Sequence, residues 1–538
     1  MGRFAVKAGR GGFIRSACWL LLLSPALAFS IVPLIALFGD AAAESVRGRH
    51  ALAGIAWDTL TTTTVMCGGA AIGATAVGIF AGSLLGHAEW RGRSMVRLLL
   101  ILPLLVPPYL HAIAWTNLLR ANGPVARAFN TAGLPEEQLT NFIYSLGGAV
   151  FIYTLAYFPL AMIMTERALY AIPRSLVEAA TVYGATRLQV WRHAIWPHIR
   201  PAAATSGLVI VLLTNSELGV PTILSVRAFN FEVLTQLSAF NDVRSATLLC
   251  GPLIVIGAVL VLGEFRLGGG STWERPELDY QKAPRQTFGK SVPRFLLLLL
   301  CATAGAVVPL TSLVVESWDG AAIAKMTALA VRPAFVTYGY VLTATLVSLA
   351  FSFFLAALFQ QGEEYKRRVT DVLLMAAFAV PGGILALALL RLYGQGPVAR
   401  FGAPALLLIA ALAARFQIVT FRGFTQSLAQ IPGELIEAAK IDGASSTQIV
   451  RSVLFPLIRL PALLLAAILV ILGFSDLGSA ILLYPPGGET LPVVLYAIEA
   501  NAPRAEVSSL ALVTLAALLI PLALVGTMIA RLIRGDGR

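Results

Sequence analysis

Charge is scarce in these 538 residues: Asp, Glu, Lys and Arg together make up 13% of the chain, about half the share of an average soluble domain. Cysteine numbers four and histidine five, and neither shows the spacing of a disulfide framework or a metal site. A G-x-x-x-x-G-K-[ST] phosphate loop, an H-E-x-x-H helix and a nucleophile elbow are all missing, so the chain has no means of hydrolysing ATP itself and no recognisable catalytic centre. No basic patch interleaved with aromatics occurs, which removes nucleic acid as a partner. What fills the chain instead is apolar. Such residues make up 57% of it, and the mean hydropathy is +0.79.

That balance describes an integral membrane protein lodged in a lipid bilayer. Runs long enough to cross a hydrocarbon layer of about 30 Å fall near 13–38, 60–85, 98–119, 142–165, 203–224, 245–263, 295–315, 334–359, 372–390, 403–424, 462–483 and 507–530. Twelve spans are therefore expected, in a first half (1–263) and a second half (295–538) joined by a polar linker (264–294) rich in Gly, Pro and both charges. With both termini placed in the cytoplasm, 28 of the 40 Lys and Arg fall in inner segments or at the inner ends of spans (Arg15 and Arg422) and 11 in outer segments, leaving Arg415 mid-span. Lys and Arg are retained inside, so this orientation is the expected one, and the net charge of +12 reflects topology. The basic N-terminus (Arg3, Lys7, Arg10, Arg15) precedes an apolar run reaching Phe38, too long for a signal peptide and read as an uncleaved first span.

The chain also repeats itself. Ile172–Arg200 and Ile431–Arg459, 259 residues apart, agree at 13 of 29 positions, which makes the two halves a tandem duplication. Each copy runs Glu-Ala-Ala (Glu178, Ala179, Ala180; Glu437, Ala438, Ala439), then a glycine (Gly184; Gly443), then a proline thirteen residues on (Pro197; Pro456). The Glu-Ala-Ala run favours helix, the glycine allows a sharp turn, and a second short helix is expected to end before each proline. On the topology above both loops are cytoplasmic.

This motif resembles the EAA loop of type I ABC importer permeases. The resemblance implies an all-α polytopic fold of two six-helix halves. It also implies two copies of a separate ATPase, one per loop and carrying ATP and Mg, together with a periplasmic substrate-binding protein and a place in the bacterial inner membrane. No cofactor is expected on this chain. A fused permease of this length further resembles the ferric-iron permease family, through Ala413-Ala414-Arg415-Phe416, Phe474-Ser475-Asp476-Leu477-Gly478 and Leu483–Leu491. Ferric iron or a ferric chelate is then the expected cargo, with 2-aminoethylphosphonate, thiamine, a polyamine or another small ion on the same scaffold as the alternative. A secondary transporter is the competing class; it predicts ionisable groups deep in the spans and no duplicated loop.

Within the spans, polar residues are candidates for the substrate pathway. Arg415 lies mid-span, where an ionisable group is costly enough to suggest a function, with a structural ion pair as the plain alternative. Glu217 and Asp476 keep the 259 offset near the outer ends of the fifth spans, suited to a cation, to helix capping or to a salt bridge. Tyr109 and His111 follow Pro107-Pro108, where a kink is expected, and a lone His on an apolar helix is more often packed than ligating. Gly123–Arg127 recurs as Gly396–Arg400 at an offset of 273, and Pro107 as Pro381 at 274. The first half thus carries about fifteen extra outer residues around Phe129–Thr140.

Overall fold

The computed structural model describes residues 16–47, 53–86, 92–267, 292–359, 364–394 and 403–535. Most of the linker, the basic N-terminus and Gly396–Arg400 lie outside them. Every regular element among the described residues is helical. Nine of the described helices are long and apolar enough to cross a bilayer, and two further pairs, each bent by 99°, bring the number to eleven.

The helices that position the functional residues are, in the first half, α1 (Ala53–Gly86), α2 (Arg93–Leu105), α3 (Pro108–Leu119), α4 (Pro124–Thr131), α5 (Glu136–Ile143), α6 (Leu146–Tyr170), α7 (Arg174–Val182), α8 (Trp196–Ser216) and α9 (Gly219–Ile223). In the second they are α10 (Glu364–Ala379), α11 (Gly382–Tyr393), α12 (Ala403–Ala429), α13 (Gly433–Ile441), α14 (Phe455–Ser475) and α15 (Leu477–Leu483). The remaining expected span, the fifth at 203–224, coincides with α8, a 21-residue helix diluted by His198 and Arg200 in its first turns.

Two features depart from simple spans. The third span of each half bends at Pro107 or Pro381, between α2 and α3 and between α10 and α11. The runs read as continuous fifth spans, 203–224 and 462–483, break at Glu217 and Asp476 into α8 plus α9 and α14 plus α15. The extra residues of the first half lie in the hairpin α4–α5, whose turn uses Gly133 at φ +75°.

The prolines Pro197 and Pro456 do not end a helix. Four π-helical turns, Leu27–Ile31, Val190–Ile195, Thr303–Val307 and Val450–Leu454, each stop two residues before a proline: Pro33, Pro197, Pro309 and Pro456. In all four, the residue before the proline donates its N–H to the carbonyl five back, as Trp196 does to Trp191 and Phe455 to Val450. Proline lacks an N–H and its ring strikes the carbonyl four residues earlier. A widened turn moves that carbonyl aside, so the helix runs on. At the first of these turns Pro33 cannot donate to Ala28, and the Tyr393 hydroxyl donates to that carbonyl instead at 2.8 Å.

By contact density the described residues fall into two compact units. One comprises those within 1–43, 332–491 and 516–538; the other, those within 44–331 and 492–515. The first span (Ser16–Ala43) thus belongs to the unit holding most of the second half, and the span Phe295–Glu316 to the unit holding most of the first. In the latter unit α1 lies along α6 at close range. A Cβ on Gly78 would stand 2.5 Å from Ala161 Cβ, and one on Gly82 2.7 Å from the Met162 carbonyl. Small residues four apart are how helices approach closely in lipid.

Candidate functional site

The two Glu-Ala-Ala loops have the same local structure. α7 and α13 both begin just after a proline (Pro173, Pro432) and end at a glycine with φ +79°. Around Gly184 the Ala185 N–H reaches back to the Ala180 carbonyl at 3.0 Å; around Gly443 the Ala444 N–H reaches the Ala439 carbonyl at 2.9 Å. This is a Schellman closure, and its left-handed residue carries a steric penalty for anything with a Cβ. The following turn is locked by a reciprocal pair of hydrogen bonds. The Thr186 N–H donates to Gln189 Oε1 (2.8 Å) and the Gln189 N–H to Thr186 Oγ1 (3.4 Å); Ser445 and Gln448 do the same at 2.8 and 3.3 Å. Both are capping boxes, written in the sequence as Thr/Ser-x-x-Gln, a signal the motif reading passed over.

Burial follows the repeat as well. Val190, Ile195 and Ile199, like Ile449, Leu454 and Ile458, are buried and anchor each loop to the transmembrane helices. Glu178, Ala179, Glu437 and Ala438 are exposed, as are Pro197 and Pro456, while Ala180 and Ala439 are half-buried against the anchor. The apolar tips are bare: Val182 is 84% exposed, Tyr183 90% and Ile441 85%. Each loop is thus a helix held at its root and apolar at its tip, and exposed apolar clusters of this kind mark contacts with another protein or with the membrane.

The membrane-embedded candidates fall into two groups, one in each compact unit. In the second half Arg415 sits midway along α12, 3% exposed, and its Nη1 meets Asp476 Oδ2 at 2.5 Å. Asp476 also caps α15, accepting from the Ser479 N–H (3.0 Å) and the Ser479 hydroxyl (2.8 Å). In the first half the Tyr153 hydroxyl of α6 donates to Glu217 Oε2 at 2.7 Å, and the Gly219 and Val220 N–H groups donate to the two carboxylate oxygens at 2.8 and 2.9 Å. Tyr109 packs over this break: a Cβ on Gly219 would lie 2.5 Å from Tyr109 Cβ and 2.8 Å from Glu217 Oε1. His111 is engaged locally, its Nε2 3.1 Å from the Pro103 carbonyl, the carbonyl that loses its helical donor because Pro107 has no N–H. Among the described residues no group of His, Cys, Asp and Glu could hold a metal ion, and all four cysteines are unbridged.

Tyr153 and Ser479 went unread in the sequence. Nor were the charge clusters tying the third and fourth spans, where Glu166 accepts from Arg93 at 3.0 Å and forms an ion pair with Arg97 at 3.0 Å, and Asp371 accepts a two-pronged contact from Arg422 at 2.7 and 2.6 Å.

Duplicated all-α halves, broken fifth spans and paired cytoplasmic-type levers define the type I ABC importer permease fold. The chain belongs to the family of binding-protein-dependent transport system inner membrane components, whose description fits it twice, over residues 74–267 and 348–535. Among similar proteins is the ferric transport system permease protein FbpB of Actinobacillus pleuropneumoniae, 22% identical over 391 residues, which cover 68% of this chain and 56% of that one. A putative 2-aminoethylphosphonate transport system permease protein, PhnU of Salmonella typhi, is 29% identical over 162 residues, covering 30% of this chain and 56% of that one. A probable ABC transporter permease protein, y4fN of Sinorhizobium fredii, is 22% identical over 501 residues, 87% and 85% of the two chains. The chain thus matches only about half the length of the ferric and phosphonate relatives.

Proposed function

We propose that this chain is the transmembrane subunit of an ATP-driven importer that takes ferric iron, or a ferric chelate, from a periplasmic binding protein and releases it to the cytoplasm. Both termini lie in the cytoplasm in this reading. Each Glu-Ala-Ala loop enters one of two copies of a separate ATPase, where ATP and Mg are held, and closure of that pair drives the two halves between outward and inward states. The observation that carries the proposal is the identity of the two loops, from the +79° glycine to the capping box and the bare apolar tip. A chain that coupled to an ion gradient would have no use for two such levers.

The phosphonate relative supports 2-aminoethylphosphonate as a second cargo. Arg415 lends that cargo no support, because its charge is balanced by Asp476.

The test is uptake of radiolabelled ferric citrate into cells carrying the native chain or the pair Gly184→Val and Gly443→Val. A valine at φ +79° is strained by about 1–2 kcal/mol at each loop, with nothing within 4 Å for it to strike. ATP-dependent uptake should fall at least tenfold while the protein stays inserted. Uptake by the purified chain alone, driven by an ion gradient, would refute the importer reading. Uptake blocked by excess 2-aminoethylphosphonate rather than by iron would shift the cargo.

A further inference from the structure

A charged pair in the middle of a membrane helix bundle must do something to persist, because removing both ions for apolar groups is often neutral or stabilising. Arg415 and Asp476 are such a pair, with side chains 4% and 2% exposed. Their surroundings show what they join. α12 is an unbroken span. α14–α15 is a span broken at Asp476, and α10–α11 is a span bent by 99° at Pro381. The three meet at this pair. Gly382, the first residue after the bend, lies flush on it: a Cβ there would overlap Arg415 Nη1 and stand 2.5 Å from Ser479 Oγ and 2.7 Å from Asp476 Oδ1. One residue on, the Gly383 N–H backbone faces Gly478, whose added Cβ would lie 3.0 Å from it. The guanidinium also lies over the Phe416 ring at 5.1 Å, and its Nε is buried without a hydrogen-bond partner among the described residues.

Asp476 therefore has two tasks. Its Oδ1 and Oδ2 close the N-terminus of α15, and Oδ2 takes the charge of α12. A break in a membrane helix exposes backbone groups that lipid cannot satisfy, so the fragment must be fastened to something continuous. Arg415 is that fastening. Downstream of α15 the chain turns through Pro485–Thr490 within the same compact unit, and the Leu491 N–H donates to Thr337 Oγ1 at 2.9 Å. The outer segment is thus held at both ends, by Arg415 through Asp476 and by Thr337.

We propose that Arg415 is a positioning residue for transport: it touches no cargo, and through Asp476 it fixes the half-helix Leu477–Leu483 and the outer segment that follows. The consequence for transport rests on the importer reading; the fixing of the break does not, and the experiment separates them.

Hydrogen exchange on the purified full-length chain reads the break directly. In Arg415→Met, amides of 477–483 should exchange at least tenfold faster, while those of the loop 433–459 keep their native rates. Adding Asp476→Asn removes the stranded charge yet keeps an acceptor for Ser479, so the double variant should return to within threefold of native exchange. With the ATPase and a cargo-loaded binding protein reconstituted beside it, Arg415→Met should lose at least tenfold in maximal uptake at unchanged KM, and the double variant should recover most of it. Native exchange at 477–483 in Arg415→Met overturns the proposal. So does a double variant that is protected but still inactive, or a rise in KM in both Arg415 variants, since either makes the guanidinium a cargo contact. If Arg415→Met fails to accumulate, recovery of expression in the double variant reads the same coupling, and no recovery overturns it. Should the reconstituted native complex transport nothing, the importer reading fails and the exchange result still decides.

Discussion

The two halves repeat their backbone more faithfully than their side-chain chemistry. Both break the fifth span at the same aligned position, yet the carboxylate at the break is met by a tyrosine hydroxyl in the first half and by an arginine in the second. At the 259 offset, the position of Arg415 is Ala156 in the first half, and that of Tyr153 is Leu412 in the second. The inner clamps differ more sharply still. Glu166 on the fourth span is paired with Arg93 and Arg97 on the third; in the second half the fourth span carries the base, Arg422, and the third the acid, Asp371. Arg97 and Asp371 occupy matching positions at the 274 offset. After duplication the geometry of a clamp was kept while its polarity reversed, so what is under physical constraint is that two helices be tied there, by either sign.

The inner clamps offer the strongest way to break this equivalence, because burial differs. Glu166 is 1% exposed and serves two arginines; Asp371 and Arg422 are each about one-fifth exposed. Glu166→Gln should therefore destabilise by about 3 kcal/mol, the low end for breaking a buried pair, and Asp371→Asn by about 1 kcal/mol, as for a largely solvated one. Thermal unfolding in detergent measures both. Equal losses would mean the clamps are interchangeable in strength as well as in place.

The capping boxes should resist any such distinction. Gln189→Ala and Gln448→Ala each remove the side-chain oxygen that accepts from the Thr186 or Ser445 N–H in loops of the same shape, and each should cost about 1 kcal/mol of local stability, seen as faster amide exchange just after Gly184 or Gly443. A clear inequality would show that one loop is held by contacts the repeat does not share.

The smallest effect is expected at the turns into the last span of each half. There Asp242 caps its helix, accepting from the Arg244 and Ser245 N–H groups at 3.0 Å each and from the Ser245 hydroxyl at 2.5 Å, whereas the last helix of the second half, Arg504–Gly535, follows Pro503. Hydrogen bonds from Ser245 hold the Asp242 carboxyl below its usual range. A depressed carboxylate contributes stability above its unfolded pKa and loses it as pH falls through its folded one. Asp242→Asn should leave a slightly lower melting temperature near neutral pH and a flatter acid limb; an unchanged acid limb would show that the cap contributes nothing to folding.

Much of this was legible in the sequence, and the failures have physical causes. The duplication, the loops and the helical class follow from identity at fixed offsets and from apolar run lengths, neither of which depends on tertiary contact. The loop glycines were readable as a place for a sharp turn or a close approach because the residue recurs there twice, and the structure shows the left-handed turn. Hydropathy could not reveal the breaks at Glu217 and Asp476, since α9 and α15 are as apolar as the spans they continue. Arg415 was visible as an anomaly, but its partner lies 61 residues away, and no spacing rule reaches that far. The prolines misled outright: Pro197 and Pro456 read as helix ends, and the structure carries the helix through them by a π turn whose only sequence trace is the proline itself.

Those π turns have a consequence for how motion could pass along the chain. Each holds one residue more than an ordinary α-helical ladder would close, and one residue corresponds to about 100° of rotation around a helix axis. The turns at Val190–Ile195 and Val450–Leu454 lie between each Glu-Ala-Ala lever and the fifth span it continues into. The angular setting of lever against span is thus fixed in whole-residue steps, like the phase of a gear. A one-residue deletion there would leave every hydrophobic residue in place along the sequence and yet turn the lever's apolar tip to face the wrong way.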